Sequence, residues 1–444
     1  MRTSPTRGRV SANSLVGRWW TSRKALVMRI LASAEAFGYG PASKLVTICS
    51  ELNRHHAAVD FKGADVAFDF AKGNAAEFHS TERLDRMTDL ATVPPHSYDG
   101  AISVMDPFLT LWAAFHEIPC IYVDSLYWFW TWPVESEAAL QKKAAELLSL
   151  DTVGEALAAL ADVSMHDAQY VAHHLATESC VQRSATGARR GLMSGHTGAD
   201  YVDAIVDTSR RRPTEPDIWL ATTSGLLNPL VSPELAVSWV HSVFLLLVEA
   251  MAEAGEDTPV IVAGNPEILV LAGTDAPGRL VIKPLDHAGI LSAMNSAIGC
   301  LSPPGLTTML EATAYGAPLI LLPEQHYGHF ANYDLMSQQG ASTRFPQALV
   351  GTRIEVDHTS DMLAKTEALI LGLAGHRTQR SPLWRDLVEA VAEGVTSIRA
   401  DRAARASAQA SVIRRAVGGF AGTVQVVDRA LAVFGNSGAG TTPG

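Results

Sequence analysis

A chain of 444 residues exceeds what one hydrophobic core ordinarily organises, so two or more domains are expected. Hydrophobic residues make up 47% and charged residues 18%, which excludes a disordered or fibrous chain. The formal charge of -11 argues against a duplex nucleic-acid binder, which needs a basic face, but leaves small anionic ligands open, because a nucleotide site uses a few local donors.

Residues 1–24 hold several arginines, no acid and no apolar run of the secretory kind, and read as a disordered extension. Met28 opens a phrase typical of an α/β protein, so the expectation is that Met28 is the natural start or that residues 1 to about 23 are dispensable. From Ala25 short apolar strands alternate with longer amphipathic stretches, the mark of a parallel sheet wrapped by helices. Ala25–Ser33 predicts a strand, Glu35–Gly40 a loop, and Pro41–Asn53 a helix with proline in its first turn. Strands follow at Ala101–Asp106 and Cys120–Asp124, with a helix over Pro107–His116 between them. Ser136–Val163 reads as helical and Gln169–Val181 as a strand region.

Thr208–Pro216 is basic, proline-containing and aperiodic, a linker signal. After it the alternation restarts, with strands at Asp217–Thr222, Pro259–Gly264, Arg279–Lys283, Ala297–Leu301 and Pro318–Leu322. Helices are expected near Ser238–Gly255, over Ala288–Met294 and over Thr307–Tyr315, with long helices from Ser381 onward. The expected organisation is two Rossmann-like doubly wound α/β domains, 25–207 and 217–380, facing across a cleft. Residues 208–216 join them, helices fill 381–434, and 435–444 form a disordered tail. Such halves place a ligand between them, outside the carboxyl ends of the strands. The apolar run Val243–Val248 is too short to span a bilayer, so no membrane segment is expected. Cys49, Cys120, Cys180 and Cys300 are widely spaced with no C-x-x-C pair, which speaks against structural zinc and fits a reducing cytoplasm.

Chemistry concentrates between Ile282 and Gly340. A strand ends in Ser302-Pro303-Pro304-Gly305 and a helix begins at Leu306-Thr307-Thr308. Its free amides and hydroxyls suit a diphosphate. Glu311, one turn on, could accept both hydroxyls of a ribose. A second strand ends level with the same cleft at Pro323-Glu324-Gln325. Three strand-end carboxylates, Glu35, Asp106 and Asp124, are candidates for a general base, although such residues also serve as helix caps or loop organisers. Asp124 is followed by Ser125, Tyr127 and Trp128, whose rings suit a flat heteroaromatic acceptor or, equally, core packing. Gly40, Ser43 and Lys44 could reach a phosphate or an acidic sugar, or stand solvated on their helix. His326 and His329 are three apart without a third or fourth ligand, and read as sugar or phosphate contacts; no metal is expected.

The ordered series of glycine, threonines, helix glutamate, "AYGAPLILLPEQ" and a later asparagine resembles the donor half of GT-B glycosyltransferases of the MurG and UDP-glycosyltransferase kind. The resemblance implies that Gly305, Leu306, Thr307 and Thr308 hold the diphosphate and Glu311 the ribose. It implies that the Leu285 loop meets the uracil edge, that Glu324 and Gln325 contact the sugar, and that Ser224-Gly225 form the close-approach glycine loop. "FGYGPASKL" at Phe37–Leu45 and "IYVDSLYWFW" at Ile121–Trp130 are similar to cytosylglucuronate synthases of nucleoside-antibiotic pathways. The narrower likeness implies transfer of glucuronic acid from UDP-glucuronate to N1 of cytosine or a cytosine derivative. The expectation is therefore an inverting, cytoplasmic UDP-sugar-dependent glycosyltransferase with no cofactor beyond its co-substrate, a small-molecule acceptor, and an architecture compatible with a homodimer. Two departures stand out: the first loop has no histidine, and the chain has no Asp-x-Asp pair. A UDP-sugar epimerase or a non-catalytic sugar-nucleotide-binding partner are the rival readings.

Overall fold

The structure is a computed structural model that describes residues 28–127, 130, 132–183, 199–224, 226–273, 279–326, 328–329, 332–333 and 361–437. In the first lobe β1 (Arg29–Ala34), β2 (Ala58–Gly63), β3 (Ser80–Arg83), β4 (Gly100–Val104), β5 (Cys120–Asp124), β6 (Glu178–Gln182) and β7 (Ala199–Val202) form one parallel sheet. Its order is β3-β2-β1-β4-β5-β6-β7. The helices are α1 (Gly40–Arg54), α2 (Asp65–Gly73), α3 (Pro107–Phe115), α4 (Val134–Leu148), α5 (Val153–Ala161) and α6 (Met165–Leu175). Alternate residues of β1 enter different cores. Ile30, Ala32 and Ala34 pack with Leu45 and Ile48 of α1, while Leu31 packs with Leu109 and Trp112 of α3. A strand buried on both faces is why this stretch reads as continuously apolar.

The second lobe repeats the plan. Strands β8 (Ile218–Thr222), β9 (Val260–Ala263), β10 (Leu280–Ile282), β11 (Ala297–Ser302) and β12 (Leu319–Leu321) are parallel in the order β10-β9-β8-β11-β12. Its helices are α7 (Pro233–Glu253), α8 (Pro266–Leu271), α9 (His287–Asn295), α10 (Leu306–Tyr315), α11 (Met362–Gln379), α12 (Pro382–Ala400) and α13 (Arg402–Val417). Each sheet reverses its winding once, between β1 and β4 and between β8 and β11. Both reversals open crevices at the carboxyl ends of those strands, where doubly wound sheets bind ligands. The expected pair of doubly wound α/β lobes facing across a cleft is present.

Several local expectations need correction. Gln169–Val181 is not one strand: Gln169–Leu175 finish α6, whose Ser164 caps Asp167 N–H, and β6 starts only at Glu178. The stretch 55–99, which is assigned no element from sequence alone, holds β2, α2 and β3. The tail from Gly435 begins inside a helix, α14 (Gly422–Ser437). The apolar run 243–248 is short, but α7 around it has 21 residues and is long and apolar enough to cross a membrane by length and composition, as is 402–435. In this structure α7 buries Trp239, Val240, Val243, Leu246 and Leu247 in the second lobe's core.

The helix α14 crosses back to the first lobe. Val426, Val427, Ala430 and Phe434 join the core of β1 and α1, and Thr423 Oγ1 donates to Val206 O at 3.1 Å. A methyl group on Gly100 would meet the Phe434 ring at 2.4 Å, so β4 needs glycine for the ring to lie flat on it. Phe434→Ala should destabilise the first lobe by ~3–5 kcal/mol, read as a lower melting temperature; an unchanged melting curve would show that α14 contributes little to that core.

Candidate functional site

A cleft of about 200 Å³ lies between the lobes, lined by the loops that follow β1, β4 and β5 on one side and β8, β9, β11 and β12 on the other. Three lining residues without glycine's freedom have left-handed φ: Met105 at 59°, Ser224 at 52° and Leu226 at 50°. Backbone strain of this kind collects at functional loops. Gly264 is required by close approach, since a methyl group there would sit 1.8 Å from Thr223 Oγ1.

On the second lobe, Gly305 N-caps α10 with no side-chain hydrogen bond, and no side chain among the described residues bonds to its first-turn amides. By contrast, Asp106, Asn265 and Asp286 occupy the amides of α3, α8 and α9. Leu306, Thr307, Thr308 and Glu311 line the cleft with Gly305, as do Ser224, Leu285, Gln325 and His326. Asn332 Nδ2 donates to Pro304 O at 3.0 Å and pins the Pro-Pro-Gly turn. An open helix start carries partial positive charge and suits an anion.

The first lobe answers with α1. Lys44 Nζ donates to Thr307 Oγ1 at 2.6 Å, and Ser43 Oγ donates to Glu311 Oε1 at 3.2 Å. Neither residue is solvated: both are buried, and Gly40 beside them also lines the cleft. Burial lowers the Lys44 amine to about 8, against the raising influence of Glu311. These bridges explain why the cleft is smaller than ordinary small-molecule sites of roughly 300–1,000 Å³.

His287, which the motifs did not single out, completes this cluster. Its Nε2 lies 2.8 Å from Glu311 Oε1 and 3.2 Å from Ser43 Oγ, and its backbone N–H donates to Asn74 Oδ1 at 3.0 Å. It opens α9 just after the Leu285 loop, so its place on the strand-end side of the second lobe was the available signal. Phe37, Tyr39 and Asn228 also line the cleft and were not assigned roles.

The three carboxylates separate. Glu35 lines the cleft, and its side chain makes no hydrogen bond among the described residues. Burial, then the charges of Asp106 and Asp124, raise it to about 8. Asp106 does not line the cleft. It caps α3, with Oδ1 accepting from Phe108 N–H at 3.0 Å, and burial raises it to about 6. Asp124 is wholly buried, with Oδ1 accepting from Leu126 N–H at 2.7 Å and Oδ2 lying 3.0 Å from His173 Nε2. These two are loop organisers, because strand-end carboxylates satisfy the free amides beside them before they can face a ligand.

Ser125 reaches the cleft, but Tyr127 does not; its ring is buried 5.1 Å from His173 and 6.2 Å from Trp132. Glu324 is fully buried and does not line the cleft, and its backbone carbonyl accepts from Trp239 Nε1 at 3.0 Å. Core packing took the Tyr127 ring from the position expected of it. Trp128 and Gly225 lie outside the described residues. Burial lowers His326 to about 4 and holds His329 well below the usual imidazole range, so both rings are neutral near pH 7. Cys49, Cys120, Cys180 and Cys300 are free and buried.

Neither a family model nor a curated protein matches the chain. Solved structures do. A Listeria monocytogenes protein described as a UDP-N-acetylglucosamine 2-epimerase superposes with a TM-score of 0.51 at 11% identity, covering 94% of this chain and 98% of its own. The fold is GT-B. Further GT-B neighbours are Phytolacca americana UGT2 complexed with UDP-2fluoro-glucose and pterostilbene, and Acinetobacter baumannii MurG. The first has a TM-score of 0.49 at 10% identity, covering 92% and 100%. MurG has a TM-score of 0.44 at 12% identity, covering 90% and 99%. At these identities the likeness is one of GT-B architecture.

Proposed function

We propose that this chain is an inverting glycosyltransferase that takes a sugar from a UDP-sugar held on the second lobe and passes it to a small acceptor near Glu35. The observation that carries the reading is the convergence, in one interlobe cleft, of an uncapped helix start, a lysine against it, a glutamate one turn on, and an isolated carboxyl opposite. The diphosphate would sit at Gly305–Thr308, with Lys44 and the helix dipole stabilising the departing UDP. Glu311 would accept the ribose hydroxyls once Ser43 yields, and the Leu285 loop would meet the uracil. Glu35 would take the acceptor's proton while the acceptor attacks opposite the leaving group.

For the finer identity we propose glucuronic acid as the sugar and N1 of cytosine, or a cytosine derivative, as the nucleophile. The "FGYGPASKL" and "IYVDSLYWFW" stretches support it, and so does a cleft with Phe37 and Tyr39 beside Glu35. The test is a screen of UDP-sugars with and without cytosine, following UDP and new glycoside by mass spectrometry. Free UDP with a cytosine glycoside is expected. An altered UDP-sugar without acceptor would instead identify an epimerase, and binding without turnover a non-catalytic partner. Glu311→Ala should weaken UDP binding by ~1–3 kcal/mol in calorimetry through lost charge-assisted bonds; unchanged affinity would remove the ribose assignment.

A further inference from the structure

We propose that His329 is a diphosphate-binding residue, its Nε2–H completing the donor set at the start of α10. This deepens the reading above and rests on it. The His329 side chain is buried, and its Nδ1 lies 3.3 Å from the backbone N–H of Gln325. Only an unprotonated ring nitrogen accepts a hydrogen bond, so the proton of the neutral ring sits on Nε2. Gln325 is itself held, because its side-chain amide donates to Thr223 O at the end of β8. The tautomer is thus set by main chain that cannot swing away.

Nε2 has no hydrogen-bond partner among the described residues, although the residue lines the cleft. A methyl group built on Gly305 would lie 3.7 Å from that nitrogen and 3.8 Å from Ser224 Oγ. Ser224 Oγ is buried and has no hydrogen-bond partner among the described residues. Two polar groups with nothing to bond therefore converge on the uncapped first turn of α10. A buried hydroxyl left without a partner, as Ser224 Oγ is, is unfavourable, and an anionic oxygen seated there would satisfy it and accept from Nε2–H as well. Glycine at 305 keeps the space between them clear.

The ring is also positioned from the other lobe. His326 packs on His329 with centroids 3.9 Å apart and the rings tilted by 41°, and Phe37 meets His326 edge-on at 5.7 Å. Phe37 belongs to the first-lobe loop next to Glu35. Contact with that loop backs the two imidazoles beside the helix start. An uncharged donor of this kind orients the phosphate and leaves charge compensation to Lys44 and the helix dipole.

The experiment titrates UDP and uridine into the full-length protein and into His329→Phe and His329→Gln, the second of which keeps an N–H near the Nε2 position. His329→Phe is expected to weaken UDP binding by about 10- to 50-fold while changing uridine binding by less than ~2-fold. Glutamine is expected to hold UDP within ~5-fold of the parent. Equal losses for UDP and uridine, or no loss of UDP, would overturn the proposal. The tautomer gives a readout independent of either variant: a long-range ¹⁵N–¹H spectrum of the parent protein should show the His329 proton on Nε2, and a proton on Nδ1 would refute the assignment. Failure of the parent protein to bind UDP would sink the functional reading itself. Retained UDP binding by His329→Phe would sink only the role of this histidine.

Discussion

Glu35→Gln should lower acceptor-dependent UDP release by ~10²–10⁴-fold near pH 8 while leaving UDP affinity within ~2-fold. Glu35 is the one carboxyl of the three candidates that faces the cleft, and it is raised to about 8 by burial and by the charges of Asp106 and Asp124. A base must be ionised to act, so the parent rate should climb as pH rises towards 8. Lys44 must be charged to hold the leaving UDP, and with its amine at about 8 the rate should fall again above that pH. The combined profile is a narrow bell centred near pH 8, whose acid limb disappears in the glutamine variant. A loss of less than ~10-fold, or an acid limb that survives, would place the base elsewhere.

The same carboxyl makes a stability prediction of definite sign. Folded Glu35 keeps its proton up to about 8, whereas in the unfolded chain it ionises near the ordinary glutamate value of 4.5. Between those values the folded state binds more protons, so its stability relative to the unfolded state falls as pH rises. The penalty is complete above about 8 and absent well below 4.5. Glu35→Gln should therefore be more stable than the parent by roughly 2–4 kcal/mol at pH 9, allowing for partial exposure, and similar to it at pH 4. Melting curves at the two pH values check this.

Lys44→Met should reduce turnover by ~10²-fold and weaken UDP binding, yet leave the melting temperature equal or higher. The ammonium is buried and bonded to Thr307 Oγ1 across the cleft. Its desolvation opposes folding, while its charge is useful only when a diphosphate occupies the start of α10. Methionine fills the same space without that cost. A large drop in melting temperature with unaltered kcat would make Lys44 a structural strut between the lobes.

The legible part of the site was local. Gly305–Thr308 and Glu311 fall within one strand–turn–helix unit, where chain order alone sets which amides are free and which side chain follows a turn later. Ser43 and Lys44 were legible as residues of the first helix but not as buried partners of Glu311 and Thr307, since hydrogen bonds spanning more than 260 residues have no local signature. His287 escaped notice for the same reason. Tyr127 was misplaced because a strand-end position does not say which way a side chain turns once His173 competes for it.

Periodicity and chain order by themselves determined the two α/β halves and the strand–turn–helix that carries the helix start at Gly305, because hydrophobic alternation and turn chemistry act over a few residues. Only the tertiary structure decided which of Glu35, Asp106 and Asp124 faces the cleft, that α14 returns to the first lobe, and that Lys44 lies against Thr307. Each of those outcomes depends on which groups compete for the same buried partner, and that competition exists only after the lobes have come together.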